Sequence, residues 1–441
     1  MSPPISARRS AVRFWLAVLL TGAGTGLAAA ALTGLLQWVQ HFMWGGGGSD
    51  LLEAASRAPP WRHLVVLLGA GLLTSAGQLL LTRLPSANGI DITTAIWFYA
   101  GRLPAIRTLT SAVLSVVIVG MGAALGREGA PKQAGAVIAN TLSDRVRLSD
   151  DERRLLVACG AGAGMAAAYG VPLGGALFAL EVLRGALALR FVLPALVTSL
   201  VATGISWAFL PDRPTYIIPV YSGSISITFW ALIAGPIIGL VSVMYVRSVQ
   251  WADSARPTGW RRILAPIVVL GALGVASIPL PQLLGNGRDV SELAFIGGIG
   301  APLLIMLLLL RPVATVLCLG SGAPGGLFTP SLTFGAMLGG VLALPWLWLW
   351  PSTQAGLFAL LGAAAMLAAT TQGPISTIVL IMELTGYARS AIVPLILIVA
   401  IATLVARAIE PRSIYDARLT DAQVRNRQLA RDKIHSEPPP E

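Results

Sequence analysis

Two glycine-rich segments carry the residue types best suited to hold or gate an anion. They are Gly126–Pro131, which reads Gly-Arg-Glu-Gly-Ala-Pro, and Gly325–Pro330, which reads Gly-Gly-Leu-Phe-Thr-Pro. Both lie in apolar surroundings, where an ionisable residue such as Arg127 or Glu128 costs roughly 2.5–3.5 kcal/mol on insertion scales and is a functional candidate. A helix that begins inside a membrane presents unpaired N–H groups and the positive end of its dipole, which bind anions. Two such helix starts predict one anion site near the middle of a bilayer.

The carboxylate of Glu128 is itself an anion, which suggests its role in such a site. When deprotonated it can occupy the place of the substrate, and protonation or a permeating anion would displace it. We therefore interpret Glu128 as a gate. The residues alone also allow a purely structural interpretation, in which Arg127 and Glu128 pair with each other or cap the helix. A cation site would need carbonyl rings or several carboxylates, and the sequence indicates neither.

The elements that must position these residues are membrane helices. Of the 441 residues, 55% are hydrophobic and only 12% are charged, about half the charged fraction of a soluble domain. Several apolar stretches approach or exceed the roughly 20 residues that cross a hydrocarbon core. They are Phe14–Trp44, Leu64–Leu81, Leu109–Leu125, Phe191–Leu210, Ile227–Val246, Ile263–Leu280, Pro302–Leu319 and Ile392–Val405. Because backbone in lipid must satisfy its own hydrogen bonds, the composition predicts an all-α polytopic membrane protein.

The net charge of +11 does not indicate a nucleic-acid partner. Arginines cluster between or after the spans, as the positive-inside tendency requires, at Arg8–Arg13, Arg145–Arg154, Arg256–Arg262 and Arg407–Arg431. The first apolar run resembles a secretory signal, but its length favours an uncleaved first span. Cys159 and Cys318 lie in apolar segments and are interpreted as small core residues, with no disulfide.

The chain carries a faint internal repeat. Pro131 and Pro330 correspond, and so do Pro172 and Pro374, each followed nine residues later by a glutamate, Glu181 or Glu383. Repeats of this kind in transporters are usually inverted about an axis in the membrane plane. We divide the chain into a cytoplasmic N-terminus (1–13), a first transmembrane repeat (14–210), a second (211–410) and a short cytoplasmic tail (411–441) without a folded regulatory domain.

Other function classes lack their signatures in the sequence. The three histidines, His41, His63 and His435, are not near other metal ligands or nucleophiles, so neither an enzyme nor a metal or cofactor site is predicted. No P-loop sequence occurs, which argues against an ATP-driven pump. A scaffolding protein would not need acids and glycine breaks at corresponding depths in both halves.

These residues resemble the CLC anion channels and proton-coupled anion exchangers over nearly the whole chain. Gly126–Gly129 matches the gating-glutamate motif, Gly326–Pro330 matches the GxFxP motif, and Pro172–Glu181 resembles the segment at the subunit interface and inner proton path. The resemblance implies a CLC-type fold of two inverted helical repeats with broken, re-entrant helices. It also implies a homodimer with one pore in each subunit, in contact with membrane lipid.

The resemblance also assigns site residues. Glu128 would be the external gate, the backbone N–H groups of Leu327 and Phe328 would bind the central anion, and the hydroxyl of Tyr415 would close the inner side. The full set of anion-binding candidates is Asn88, Gly89, Arg127, Gly129, Leu327, Phe328 and Tyr415. The lack of long cytosolic domains favours a bacterial inner membrane.

The sequence departs from the family pattern at three places. Asn88 replaces an anion-coordinating serine, and Asp91 replaces a proline and is interpreted as the cap of the next helix. Val182 stands where the exchangers carry a glutamate, and it cannot relay a proton. Lys132 stands beside the gate, where it either raises the local anion concentration, snorkels to a vestibule wall or pairs with an acid.

The resulting hypothesis is a chloride pathway gated by Glu128 and channel-like because of Val182. The fluoride-exporting branch of the family is similar in lacking the serine, the usual proline of the gate motif and the inner proton glutamate. Fluoride/proton antiport, in which protons are a second transported species, is therefore the alternative hypothesis. It rests on Asn88, Ala130 and Val182.

Overall fold

The computed structural model describes residues 5–45, 50–84, 91–351, 354–386, 391–416 and 419–436. The described part of the first half forms α1 (Ile5–Trp44), α2 (Leu51–Arg57), α3 (Pro60–Arg83), α4 (Ile92–Phe98), α5 (Ala105–Gly120), α6 (Gly129–Val146), α7 (Asp150–Tyr169), α8 (Pro172–Phe178) and α9 (Leu189–Ser206). A π-helical turn, Ala179–Arg184, extends α8.

The described part of the second half is likewise helical. It forms α10 (Ile225–Ser254), α11 (Arg261–Ala276), α12 (Arg288–Phe295), α13 (Ala301–Gly320), α14 (Phe328–Leu349), α15 (Ala355–Thr371), α16 (Pro374–Thr385), α17 (Ile392–Ile409) and α18 (Asp421–Ser436). Short 3₁₀ turns lie at Pro281–Leu283 and Ile414–Asp416. The predicted all-α fold is confirmed.

Seven helical segments in the described residues are long and apolar enough to cross a membrane. They lie in α1, α3, α9, α10, α13 and α14 and in a segment that begins with α17. Their outer faces expose large apolar side chains, as at Leu193, Met244 and Leu404. In water such continuous apolar surface would be unstable, whereas in a bilayer it contacts lipid tails. The chain is an integral membrane protein.

Helices α7 and α15 form the centre of the two halves and are buried on nearly every side. Their glycines allow backbones to touch: a Cβ on Gly160 of α7 would overlap the carbonyl of Gly135 in α6, and a Cβ on Gly362 of α15 would overlap that of Gly335 in α14. This small-residue packing is typical of membrane helices. It holds α6 against α7, and α14 against α15, at fixed depth.

The two halves are joined by a reciprocal exchange of helix caps. The Glu181 carboxylate accepts hydrogen bonds from the backbone N–H groups of Ile375 (3.1 Å) and Ser376 (2.6 Å) at the start of α16. Glu383, on α16, accepts the equivalent bonds at the start of α8, from Leu173 (3.0 Å) and Gly174 (2.7 Å). Equivalent residues that meet reciprocally are the mark of a two-fold relation. The predicted repeat is therefore present, while its assigned boundaries at 14–210 and 211–410 stay a prediction.

Corresponding glycines end the helices that precede the two predicted breaks. Gly122, after α5, has φ +111°, and Gly322, after α13, has φ +91°. These backbone angles are accessible to glycine but strained for other residues, so both chains turn sharply before the next helix. Pro131 and Pro330 then each lie in the first turn of the following helix, α6 or α14, as predicted.

The tail contains a helix that the sequence did not indicate. In α18, Arg427 pairs with Asp416, donates a 2.9 Å hydrogen bond to the carbonyl of Val182 and lies over the ring of Trp97, 5.3 Å from its centroid. Because both Val182 and Trp97 belong to the first half, α18 is held against that half rather than projecting away. Its polar composition gave no apolar stripe from which this docking could be recognised.

Candidate functional site

The carboxylate of Glu128 lies at the N-terminus of the opposite half's helix, α14. Its Oε1 accepts a 2.6 Å hydrogen bond from the backbone N–H of Phe328, the first residue of that helix. Its Oε2 lies within hydrogen-bonding distance of the hydroxyls of Thr329 (3.3 Å) and Tyr169 (3.5 Å), whose oxygens are 3.0 Å apart, so two protons serve these three contacts. The side chain is fully buried. A negative charge therefore sits where the exposed N–H groups and the dipole of a helix end favour an anion.

Two glycines make room for this carboxylate. Gly126 and Gly326 exchange backbone hydrogen bonds of 2.7 Å in both directions, forming an isolated antiparallel bridge between the two breaks. A Cβ on either residue would overlap the carboxyl group of Glu128. The bridge sets the distance between the two helix starts, and the missing side chains leave the space that the Glu128 carboxylate occupies.

Neither alternative interpretation of Arg127 and Glu128 describes the structure. These two neighbouring residues, both described, form no ion pair within 4.0 Å, and the Glu128 side chain does not cap its own helix, α6. The guanidinium of Arg127 instead lies over the ring of Tyr169, 4.8 Å from the centroid, and its Nε is buried without a hydrogen-bond partner. Arg127 thus adds positive charge beside the gate without neutralising it.

A cavity of about 620 Å³, here called the basic cavity, opens beside these helix starts. Gly129 and Leu327 from the two breaks line it, and its cationic lining residues are Arg107, Lys132, Arg256 and Arg262. Its carboxylates offset this charge only in part: Asp253 pairs with Arg256 at 2.7 Å, and Asp91 caps α4. The net positive lining attracts anions toward the gate.

Lys132 and Tyr415 meet where the basic cavity approaches the pathway. The ammonium Nζ donates to the Tyr415 hydroxyl at 3.3 Å and lies 4.6 Å from that ring's centroid and 5.2 Å from the Phe178 ring. Lys132 is 5% exposed. Of the three interpretations of this lysine, pairing with an acid is wrong for the described residues, because no carboxylate oxygen there lies within 4.0 Å of Nζ. The aromatic rings supply cation–π stabilisation but no counter-charge.

The remaining predicted residues have mixed outcomes. Asp91 caps α4 by accepting hydrogen bonds from the N–H (2.7 Å) and hydroxyl (2.8 Å) of Thr94, which confirms its interpretation as a cap. Asn88 and Gly89 lie outside the described residues. Val182 is buried, and its carbonyl accepts the bond from Arg427.

Sequence reasoning missed the two hydroxyls that bond the Glu128 carboxylate. Thr329 belongs to the Gly325–Pro330 segment, so the sequence could have predicted that it lies in the first turn of the helix that begins there. Tyr169 is a polar residue that closes the run of small apolar residues at 160–168. Nothing in the sequence connects that tyrosine to Glu128, since the contact depends on how α7 packs between the two breaks.

The sequence profile of a known family, described as voltage gated chloride channel, matches residues 71–407. The chain belongs to that family. Relatives include the H(+)/Cl(-) exchange transporter ClcA of Cronobacter sakazakii, 31% identical over 457 aligned residues that cover 97% of this chain and 94% of the relative. The predicted CLC membership is confirmed, and the protein is an anion-transporting membrane protein rather than an enzyme.

Solved structures agree on the CLC fold. A slow cyanobacterial Cl⁻/H⁺ antiporter superposes with a TM-score of 0.80 at 24% identity, covering 96% of this chain and 99% of the other. A CLC-type fluoride/proton antiporter superposes with a TM-score of 0.72 at 22% identity, covering 92% and 97%. The predicted fold of two inverted CLC repeats with re-entrant helices is thereby confirmed.

Proposed function

We propose that this CLC protein carries small monovalent anions, chloride by default, along a pathway whose gate is Glu128. The observation that carries the proposal is the 2.6 Å hydrogen bond from the Phe328 N–H to the Glu128 carboxylate. The deprotonated side chain occupies the helix end that the permeating anion needs, so the structure corresponds to a closed pathway. Protonation removes the charge that the helix end favours, and the side chain then yields its place to the anion.

We assign the other site residues to the two sides of this gate. Arg127 lies over Tyr169, which we assign to one side, and Gly129, Leu327 and Tyr415 border the basic cavity, which we assign to the other. We assign the basic cavity to the cytoplasmic side, because its Arg256 and Arg262 flank the connection between α10 and α11 and arginine-rich connections are cytoplasmic. Leu327 and Phe328 would offer N–H groups to the anion after Glu128 leaves.

We propose passive conduction rather than proton exchange because of Val182. Its buried apolar side chain cannot bind a proton, and the Arg427 guanidinium at its carbonyl would repel one. Proton-coupled exchange is the second candidate, favoured by the exchange activity for which the Cronobacter relative is named. Fluoride in place of chloride stays the alternative substrate, since Asn88 and Ala130 depart from the common pattern. We also propose that the protein is a homodimer in a bacterial inner membrane.

Flux from proteoliposomes tests these assignments. Vesicles loaded with chloride or fluoride are diluted into anion-poor medium, with anion efflux and external pH recorded together. Rapid efflux without proton movement supports the proposed conduction. Anion efflux that drives protons in the opposite direction supports exchange, and its anion preference then separates chloride from fluoride. Absence of flux for both anions contradicts the proposed function.

A further inference from the structure

Lys132 places a formal positive charge at the basic cavity, whereas Glu128 itself contacts a backbone N–H group and hydroxyls. It follows Glu128 by one helical turn at the start of α6, but the two side chains go to different places. Glu128 reaches the start of α14, whereas the ammonium of Lys132 reaches Tyr415 at the basic cavity. The lysine is thus on the cavity side of the gate.

The ammonium forms no contact ion pair with the described residues. No carboxylate oxygen there lies within 4.0 Å of it, and the acids that interact with it at longer range have partners of their own. Glu128 is held by α14, and Asp91 is held by Thr94. A buried charge without a partner is costly, and a counter-ion that binds beside it offsets part of that cost. The cavity next to it has room for one.

We propose that Lys132 is a direct ligand of the transported anion at the cavity end of the pathway, with the Tyr415 hydroxyl as its neighbour. The ligand is a small monovalent anion, chloride or fluoride, and the inference rests on the proposed function. An ammonium is a compact point charge on a flexible stem, so it can follow an anion over a short distance between the cavity and the gate. It strengthens anion binding beyond what helix dipoles and hydroxyls supply.

Anion binding to the purified full chain tests this ligand. Titrations with sodium chloride and sodium fluoride are made in the Glu128→Gln background, so that the gate carboxylate does not compete for the site. Adding Lys132→Met, which keeps the length of the side chain, should weaken binding of the transported anion by at least about tenfold, and Lys132→Arg by less than about threefold. Lys132→Gln gives a second neutral variant if the methionine variant fails to fold.

A matched control distinguishes direct binding of the anion by Lys132 from general electrostatic attraction by the charges of the basic cavity. Arg262 lines the same cavity but donates to the Gln78 carbonyl and the Thr82 hydroxyl. Arg262→Gln should weaken binding less than about threefold, because a charge at the cavity wall acts only through its field. Equal losses in the Lys132 and Arg262 variants overturn the proposal, as does unchanged binding in Lys132→Met.

Crystals soaked in bromide give a second, direct measurement. Anomalous density beside Nζ of Lys132 supports the proposal, whereas bromide bound only at the start of α14 overturns it. If the Glu128→Gln parent binds neither chloride nor fluoride, the proposed function fails together with this site. If the parent binds an anion and the lysine variants bind it equally well, only the lysine assignment fails.

Discussion

Gly126 and Gly326 exchange two backbone hydrogen bonds of 2.7 Å, one in each direction, although they belong to opposite halves of the chain. The bond pair brings the starts of α6 and α14 together at one point. Since neither residue has a side chain, the carboxylate of Glu128 can lie in the space beside them. The proposed gate depends on this contact, because the contact brings the start of α14 within reach of the Glu128 side chain.

Replacing the gate carboxylate should open the pathway. In Glu128→Ala, no side chain competes with the anion for the Phe328 N–H, so efflux at pH 7 should rise by about threefold or more. In the unaltered chain efflux should increase as pH falls, since protonation releases the gate, whereas the variant should be insensitive to pH. Efflux measured from pH 4.5 to 8 checks this, with protein amount per vesicle as the control. A variant that keeps the original pH profile would contradict the gate assignment.

Adding a methyl group at Gly326 should displace the same carboxylate. The Cβ of Gly326→Ala would overlap the Glu128 carboxyl group, so this variant should also show faster and less pH-sensitive efflux. Gly204→Ala is the matched control, because a Cβ there meets open space. In the Glu128→Ala background the Gly326 substitution should have little further effect, since the two changes act on one contact. If the effects of the Glu128 and Gly326 substitutions on efflux are additive, Gly326 does not act through the Glu128 carboxylate.

Removing the Tyr169 hydroxyl should shift the pH dependence without abolishing it. The Tyr169 hydroxyl lies 3.5 Å from the Glu128 carboxylate and 3.0 Å from the Thr329 hydroxyl, so its single proton goes either to the carboxylate or to Thr329. In both cases its loss disfavours the deprotonated carboxylate at the start of α14. In Tyr169→Phe the pH at which efflux rises should therefore move upward, by a modest amount because the contact with the carboxylate is long. Tyr99→Phe, at an exposed helix end, serves as control, and a downward shift would be inconsistent with this role.

The two reciprocal caps should contribute comparable stability. Glu181→Gln and Glu383→Gln each remove the charge that holds the first N–H groups of a helix in the opposite half. A cap and its interaction with the helix dipole together contribute about 1–2 kcal/mol, so each variant should unfold at a lower temperature in detergent. Glu53→Gln, an exposed carboxylate on α2, is the control. A loss confined to one of the two variants would show that the caps are not equivalent.

The residue at position 88 should affect the choice of anion. An asparagine amide donates hydrogen bonds with a different reach and geometry from a serine hydroxyl. Asn88→Ser is therefore expected to change the ratio of chloride to fluoride efflux under identical gradients. An unchanged ratio would mean that selectivity is set elsewhere.

The helix breaks were predictable because they depend on local residue types. Glycines that permit sharp turns and prolines that suit a first helical turn lie within each segment, so their structural role follows from the adjacent sequence. The glutamates that follow Pro172 and Pro374 revealed the repeat for the same reason. Sequence could not assign their partners, because each carboxylate bonds a helix of the other half.

The side-chain directions inside the site were not predictable. Tyr169 and Thr329 reach Glu128 only after α7 and α14 pack, and helical periodicity gives no guide where a helix is buried on all sides. The direction of Lys132 was left open for the same reason. The docking of α18 depends on contacts of Arg427 with a backbone carbonyl and an aromatic ring. A pattern of apolar residues does not predict contacts of this kind.

The exchange of caps between α8 and α16 has a consequence for how the chain is made. When the first half has entered the membrane, the N–H groups of Leu173 and Gly174 still lack their acceptor, because Glu383 is synthesised 210 and 209 residues later. An unsatisfied backbone group in hydrocarbon costs several kcal/mol, so the start of α8 stays incomplete during translation. The start of α8 therefore gains its full set of hydrogen bonds only when α16 of the second half is in place.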